Sequence, residues 1–167
     1  MKRTHLLITF IVCAALYAGN RLTLRITPAH PGIGAQIDGS ITEGGGWFQG
    51  EPFVTAEPVR AWGTWNGADT HTGTLSLGPF PGPPRLRFAV GGYPTRDGNA
   101  LAVELIATKE RLPVTLPSDI GERWRIIEVD LPAGWIGRPV SLVAIDRAIA
   151  PGGWLAITEP LPRKPAR

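Results

Sequence analysis

The sequence predicts an all-β fold, a β-sandwich or jelly roll of about eight strands that follows an N-terminal hydrophobic helix. Two observations carry this prediction. The 167 residues include 21 Gly and 17 Pro, and abundant turn formers between apolar runs favour short strands over long helices. Apolar residues also recur at every second position in several segments, which is the period of a half-buried strand. No stretch after residue 20 shows a sustained helical period.

The clearest alternation lies at Leu86, Phe88 and Val90, which share one face of a predicted strand while Arg85 and Arg87 take the other. Residues 140–145 are apolar on both faces, as expected of a central strand. Further strands are predicted over residues 21–27, 75–77, 101–105, 114–116, 125–131 and 154–157. The intervening segments are predicted as a linker or long loop over residues 28–46, a charged turn over residues 109–111, and loops elsewhere.

The first 20 residues differ in character from the rest. Lys2 and Arg3 precede an uncharged apolar run over residues 6–19, which fits a secretory signal and is short for a membrane span of roughly 20 residues. Residues 16–18 make a poor cleavage site because Leu16 is large. An uncleaved signal anchor is therefore favoured over a cleaved signal peptide, which stays open as the alternative. Either way, the following domain is expected on the periplasmic or extracellular face.

Four regions follow from this pattern: a leader at 1–20, a strand and linker at 21–54, a sandwich at 55–160, and a basic Pro-rich tail at 161–167. The net charge is +3. Without Lys2 and Arg3, 15 basic residues face 14 acidic ones, a balance of +1. A near-neutral body argues against a nucleic-acid surface, which needs clustered basic residues.

Motifs of common enzyme classes are missing from the sequence. It contains no Gly-x-Ser-x-Gly elbow, no His-Glu-x-x-His and no Gly-rich phosphate loop before a helix. The only cysteine, Cys13, lies in the apolar run, so no disulfide is expected in the exported part. We predict that the protein is not an enzyme, and no residue is assigned to a metal or cofactor.

Two polar loops next to aromatic residues are the candidate binding site. Sugars present apolar C–H faces and many hydroxyls, which proteins bind with an aromatic platform and planar polar groups. The two loops supply those types at Trp65, Asn66, Asp69 and His71, and again at Tyr93, Arg96, Asp97 and Asn99. The competing interpretation is that Trp62 and Trp65 pack in the core or at its edge, while Asn66 and Asp69 shape turns. Trp154 is predicted to pack internally, and Asp146 to accept hydrogen bonds from loop amides.

The order of strands and turn residues resembles the galactose-binding-like jelly-roll domains, the fold of many carbohydrate-binding modules. The resemblance rests on residues 72–76, 78–80, 86–92, 130–131, 137–146 and 153–157. It implies a β-sandwich that binds glycans with loops at one end, often beside a structural calcium, although no calcium motif of the family can be matched here.

The function expected from these features is a membrane-anchored, extracytoplasmic module that binds a cell-envelope glycan. The alternative is a non-catalytic protein-interaction or accessory domain of an envelope membrane assembly, because one fold can serve either role.

Overall fold

Two antiparallel sheets packed face to face make up the part of the chain that the structure describes. A computed structural model describes residues 33–44, 59–65 and 67–162. The first sheet has the strand order β1-β4-β9-β6-β7 and the second the order β2-β3-β10-β5-β8. The strands are β1 Ala35–Gly39, β2 Thr42–Glu43, β3 Ala61–Gly63, β4 Gly73–Pro81, β5 Arg85–Gly92, β6 Ala100–Leu105, β7 Glu110–Pro113, β8 Gly121–Asp130, β9 Pro139–Asp146 and β10 Leu155–Thr158. The predicted all-β sandwich is confirmed.

The core lies between the sheets and is built from alternate residues of each strand. Every inward side chain of β5 is nearly inaccessible, because the facing strands of the first sheet cover it. The largest fully buried side chains come from both sheets: Trp62, Leu75, Leu77, Leu86, Phe88, Leu105, Leu142 and Ile157. Burying a side chain of this size stabilises the fold by about 1.5–3 kcal/mol relative to leaving it exposed.

The outward face of the β5–β8 pair carries ion pairs between facing residues. Arg85 lies opposite Asp130 and Arg87 opposite Glu128, with N–O distances of 2.6 Å and 2.9 Å. Cross-strand pairs of opposite charge stabilise a sheet modestly. The two acidic residues therefore belong to a solvated sheet face, as their alternation in the sequence indicates.

Two predictions about the β1–β2 region and the β7 region are wrong. Strands β1 and β2 lie within residues 28–46, predicted as a linker; β1 buries few side chains and is held by backbone pairing with β4. The predicted strand at 114–116 and turn at 109–111 are displaced, because β7 spans Glu110–Pro113. Lys109, at φ 59°, ends the preceding turn.

Five connections meet at one end of the sandwich, because antiparallel strands place alternate turns at the same end. They are residues 40–41, 64–72, 93–99, 114–120 and 147–154 within the described chain. We call this the loop end. Both predicted binding loops belong to it, so the fold brings them to one surface.

Several expectations concern residues that the structure does not describe. The predicted leader at 1–20, the strand at 21–27 and most of the basic tail are among them. Across the part of the chain that is described, no helix combines the length and apolar character that crossing a bilayer requires.

Candidate functional site

A small aromatic cluster covers the outer face of the second sheet at the loop end. Trp154 and Ala156 are its buried centre, and the half-buried Trp65, Tyr93 and Trp124 pack against them. The neighbours of Trp154 and Ala156 on β10 point into the main core, so period-2 alternation places this pair on the opposite face. Trp154 is buried to 3% exposure, which confirms the prediction that it packs internally.

Tyr93 is braced on three sides by the protein. Its ring meets the Trp154 ring edge to face, with centroids 6.0 Å apart and an interplanar angle of 85°. The guanidinium carbon of Arg96 lies 5.4 Å from the Tyr93 centroid. Gly152 also packs on the ring, since a Cβ there would lie 3.2 Å from Cζ of Tyr93. These contacts hold the ring between Trp154, Arg96 and Gly152.

Asp69 ties the loop of residues 64–72 to the loop of residues 147–154. Its Oδ2 accepts a hydrogen bond of 2.8 Å from the backbone N–H of Gly152, the same glycine that packs on Tyr93. Asp69 therefore lies close to the aromatic cluster. No described residue donates to its other oxygen, Oδ1.

Asn99 joins two of the loops by its side-chain amide. Its Nδ2 donates to the carbonyls of Tyr93 at 3.0 Å and Gly153 at 2.7 Å. Its Oδ1 accepts from the backbone N–H groups of Arg147 at 3.1 Å and Ala148 at 3.2 Å. Both donor hydrogens and both lone pairs of the amide are thereby used. Asn99 positions the loop end and has no group left for a ligand.

The loop of residues 114–120 contributes Asp119, which the sequence analysis did not place among the candidate site residues. Asp119 accepts hydrogen bonds from both the backbone N–H and the hydroxyl of Thr95. Its Oδ2 lies 3.6 Å from Nε of Arg96. Asp119 thus holds the base of the 93–99 loop and restrains Arg96. Asp97 is exposed, and no described residue bonds to its side chain.

His71 and Asn66 complete the predicted set. His71 is half-buried, and its Nδ1 is buried with no hydrogen-bond partner among the described residues. Asn66 lies outside the described residues. The structure therefore brings Trp65, Asp69 and Tyr93 together around Trp154 and Gly152, and it leaves the relation of His71 to them as a prediction.

A buried carboxylate lies beneath the loop end. Asp146, at the end of β9, accepts hydrogen bonds from the Thr64 hydroxyl and from the backbone N–H of Ala148, so it bonds to a loop amide as predicted. Burial raises the pKa of Asp146, and these hydrogen bonds offset part of the rise. Within residues 33–44, 59–65 and 67–162, no group of three or more His, Cys, Asp or Glu side chains is arranged to hold a metal ion.

Comparisons with known proteins give structural neighbours only. No family model and no curated protein matches the chain. The C-terminal extracellular domain of Mycobacterium tuberculosis EmbC matches at 19% identity and TM-score 0.47, covering 61% of this chain and 41% of that one. The K2 cleaved adhesin domain of Lys-gingipain matches at 16% identity and TM-score 0.43, covering 77% of this chain and 83% of that one. TmCBM61 in complex with β-1,4-galactotriose matches at 14% identity and TM-score 0.41, covering 75% of this chain and 83% of that one.

This chain spans less than half the length of the EmbC domain and 13% of the arabinosyltransferase EmbB from Mycobacterium smegmatis, another neighbour. At these TM-scores the likeness carries no argument about function. Any functional assignment therefore rests on the residues of this chain.

Proposed function

We propose that the loop end binds a glycan, with Trp65 as the platform for a sugar C–H face and Oδ1 of Asp69 as a hydroxyl acceptor. The observation that carries the proposal is the link through Gly152, which holds Asp69 beside the aromatic cluster that contains Trp65. An aromatic face next to a polar group suits the amphipathic surface of a sugar ring. Arg96, Asp97 and His71 are further candidate contacts.

The supporting residues explain why such a site would be preorganised. Asn99 and Asp119 lock the loop of residues 93–99 with side-chain-to-backbone bonds, so little conformational entropy would be lost on binding. Asn99 and Tyr93, predicted as ligand contacts, are better assigned to this supporting role. Asn66 remains a proposed contact from its place in the sequence.

The place of the domain in the cell is part of the same proposal. The apolar run over residues 6–19 would anchor the chain in the membrane, with the sandwich on the extracytoplasmic side. A glycan of the cell envelope is then the ligand within reach of an anchored domain.

A glycan array screened with the folded protein, followed by calorimetry on the strongest ligands, tests the function. We expect binding at micromolar to millimolar Kd, weakened by Asp69→Ala and unaffected by Glu128→Ala, which removes a carboxylate near the end of β8 that lies away from the loop end. A folded sample that binds no glycan at millimolar concentration would contradict the proposal.

Interaction with an envelope protein is the second candidate function, and one observation favours it. Ile149, in the loop of residues 147–154, is 71% exposed, and a partner protein covering it would remove its apolar surface from water. Cross-linking in membranes, compared between the unaltered chain and Ile149→Ser, distinguishes the two. A protein cross-link lost in Ile149→Ser, together with no glycan binding, would favour the interaction domain.

A further inference from the structure

A groove on the outer face of the first sheet is separate from the loop-end aromatic cluster, which covers the second sheet. Its volume is about 610 Å³, within the range of about 300–1,000 Å³ that small-ligand sites occupy. Five strands or their turns contribute to its lining, through Gln36, Thr74, Ser76, Pro79, Glu104, Ile106, Lys109, Arg111 and Val143. Its position across the sheet, with polar and apolar residues side by side, gives it the make-up of a binding groove.

An ion cluster gives the groove a net positive charge. Glu104 is bonded through Oε1 to Nζ of Lys109 at 3.0 Å and through Oε2 to Nε of Arg111 at 2.9 Å. Burial raises the pKa of Glu104, but the hydrogen bonds and charges of its two partners outweigh burial, so the pKa is lowered and the carboxylate stays ionised. Two cations and one anion leave a charge of +1 on the lining.

The positive groups of this cluster are the accessible ones. The Glu104 side chain is 9% exposed, whereas that of Lys109 is 71% and that of Arg111 is 49% exposed. Arg111 uses only Nε on Glu104, so both terminal nitrogens of its guanidinium remain to bind a planar anion, and Lys109 retains further N–H donors. The nearest acidic residue along β1, Asp38, lies outside the groove lining.

Neutral polar groups lie in the same groove. Gln36 and Ser76 face each other across the β1–β4 pair, and Thr74 lies two residues before Ser76 on β4. The side chains of these three residues form no hydrogen bond with any described residue. Val143, at the base of the groove, supplies an apolar surface between them and Glu104.

We propose that this groove binds an acidic sugar, with the ligand carboxylate on Arg111 and Lys109 and its hydroxyls on Gln36, Thr74 and Ser76. The cations match the charge of a uronate, and the guanidinium fork matches the geometry of its carboxylate. The hydroxyl and amide groups match the remainder of the sugar. The proposal does not depend on glycan binding at the loop end.

Calorimetric titration of the full chain with galacturonate, galactose and acetate tests it. We expect galacturonate to bind, galactose and acetate to bind at least about tenfold more weakly, and added salt to weaken binding because the contact is ionic. Arg111→Gln should raise the Kd for galacturonate about tenfold or more. Arg125→Gln, which changes an exposed arginine on the other sheet, is the matched control and should leave the Kd unchanged.

Ser76→Tyr keeps the test independent of the ion cluster. It fills the groove with a residue that suits a strand and leaves Glu104 and its partners in place, so it should abolish galacturonate binding without lowering Tm. Equal affinity for galactose or acetate, or undiminished binding by Ser76→Tyr, would overturn the proposal. Loss of galacturonate binding in Trp65→Ala would also overturn it, because the ligand would then occupy the loop end.

Discussion

Three glycines at positive φ, two at the loop end and one at the opposite end, provide a graded measure of packing. Gly92, Gly152 and Gly137 have φ angles of 85°, 70° and 75°, so an added Cβ meets a similar backbone strain at each. They differ in the space around that Cβ. It would lie 2.3 Å from the carbonyl oxygen of Trp154 at Gly92 and 3.2 Å from Tyr93 Cζ at Gly152, whereas no atom lies within 4 Å at Gly137.

The expected losses of unfolding free energy follow from these distances. Gly137→Ala should cost about 1–2 kcal/mol, the penalty of the left-handed backbone alone. Gly152→Ala adds a contact with a ring that is able to move slightly, and should cost about 1 kcal/mol more. Gly92→Ala forces the backbone carbonyl of Trp154, which accepts from the N–H of Tyr93, to shift, and overpacking adds about 1–3 kcal/mol, for a total of about 2–5 kcal/mol.

Urea unfolding of the three variants, followed by tryptophan fluorescence, measures the series. The same m-value in all three would show that the comparison reports stability. The reasoning predicts the order Gly92, Gly152, Gly137 from largest to smallest loss. If Gly92→Ala and Gly137→Ala lie within about 0.5 kcal/mol of each other, the close packing of Trp154 on β5 is refuted.

Two further predictions concern polar groups beneath the site. Asn99→Ala should destabilise the fold by about 2–6 kcal/mol, because it removes three part-buried hydrogen bonds and one exposed one, which contribute about 0.5–1.5 kcal/mol each. Asp97→Ala should change the unfolding free energy by less than about 0.5 kcal/mol in the same urea titration. Asp146 has a raised pKa, so the folded state binds more protons and this group's contribution to stability falls as pH rises through the folded pKa. Asp146→Asn should remove that contribution. Thermal melts of the variant and the unaltered protein from pH 4 to pH 7 should therefore show the variant becoming more stable relative to the unaltered protein as pH rises. A difference in Tm that does not change with pH would contradict this.

Strands with a clear period were predictable, and those without one were not. In β5 and β8 the alternation of apolar and charged residues matches one buried and one solvated face. Strand β1 carries only Ala35 and Ile37 as apolar residues, and its pairing with β4 is a long-range event that local pattern cannot show. Strand β7 has only four residues, and of these only Leu112 packs on the core. One apolar residue cannot show the alternation by which a strand is predicted.

The site shows the same division between local and long-range information. Antiparallel connections made it predictable that the two polar loops share one end. The roles of individual residues depended on contacts distant in sequence: Asn99 reaches residues 48 and 54 positions away, at Arg147 and Gly153. The side-chain amide of an asparagine can bond a ligand, but it bonds backbone amides and carbonyls of neighbouring loops equally well. The platform residue Trp65 was identified from its turn context, and its role in binding remains a prediction.

The most direct test of the central claim is glycan binding by Trp65→Ala, measured beside its stability. We expect its Tm to fall much less than that of Trp154→Ala, because Trp65 is only half-buried whereas Trp154 is buried. Its Kd should rise about tenfold or more, corresponding to at least about 1.4 kcal/mol, and Trp65→Phe should recover part of the affinity. Trp154→Ala, a truncation at the buried centre of the cluster, should cost about 3–5 kcal/mol of stability. Unchanged binding by a folded Trp65→Ala, or a Tm as low as that of Trp154→Ala, would contradict the assignment of Trp65 as the glycan platform.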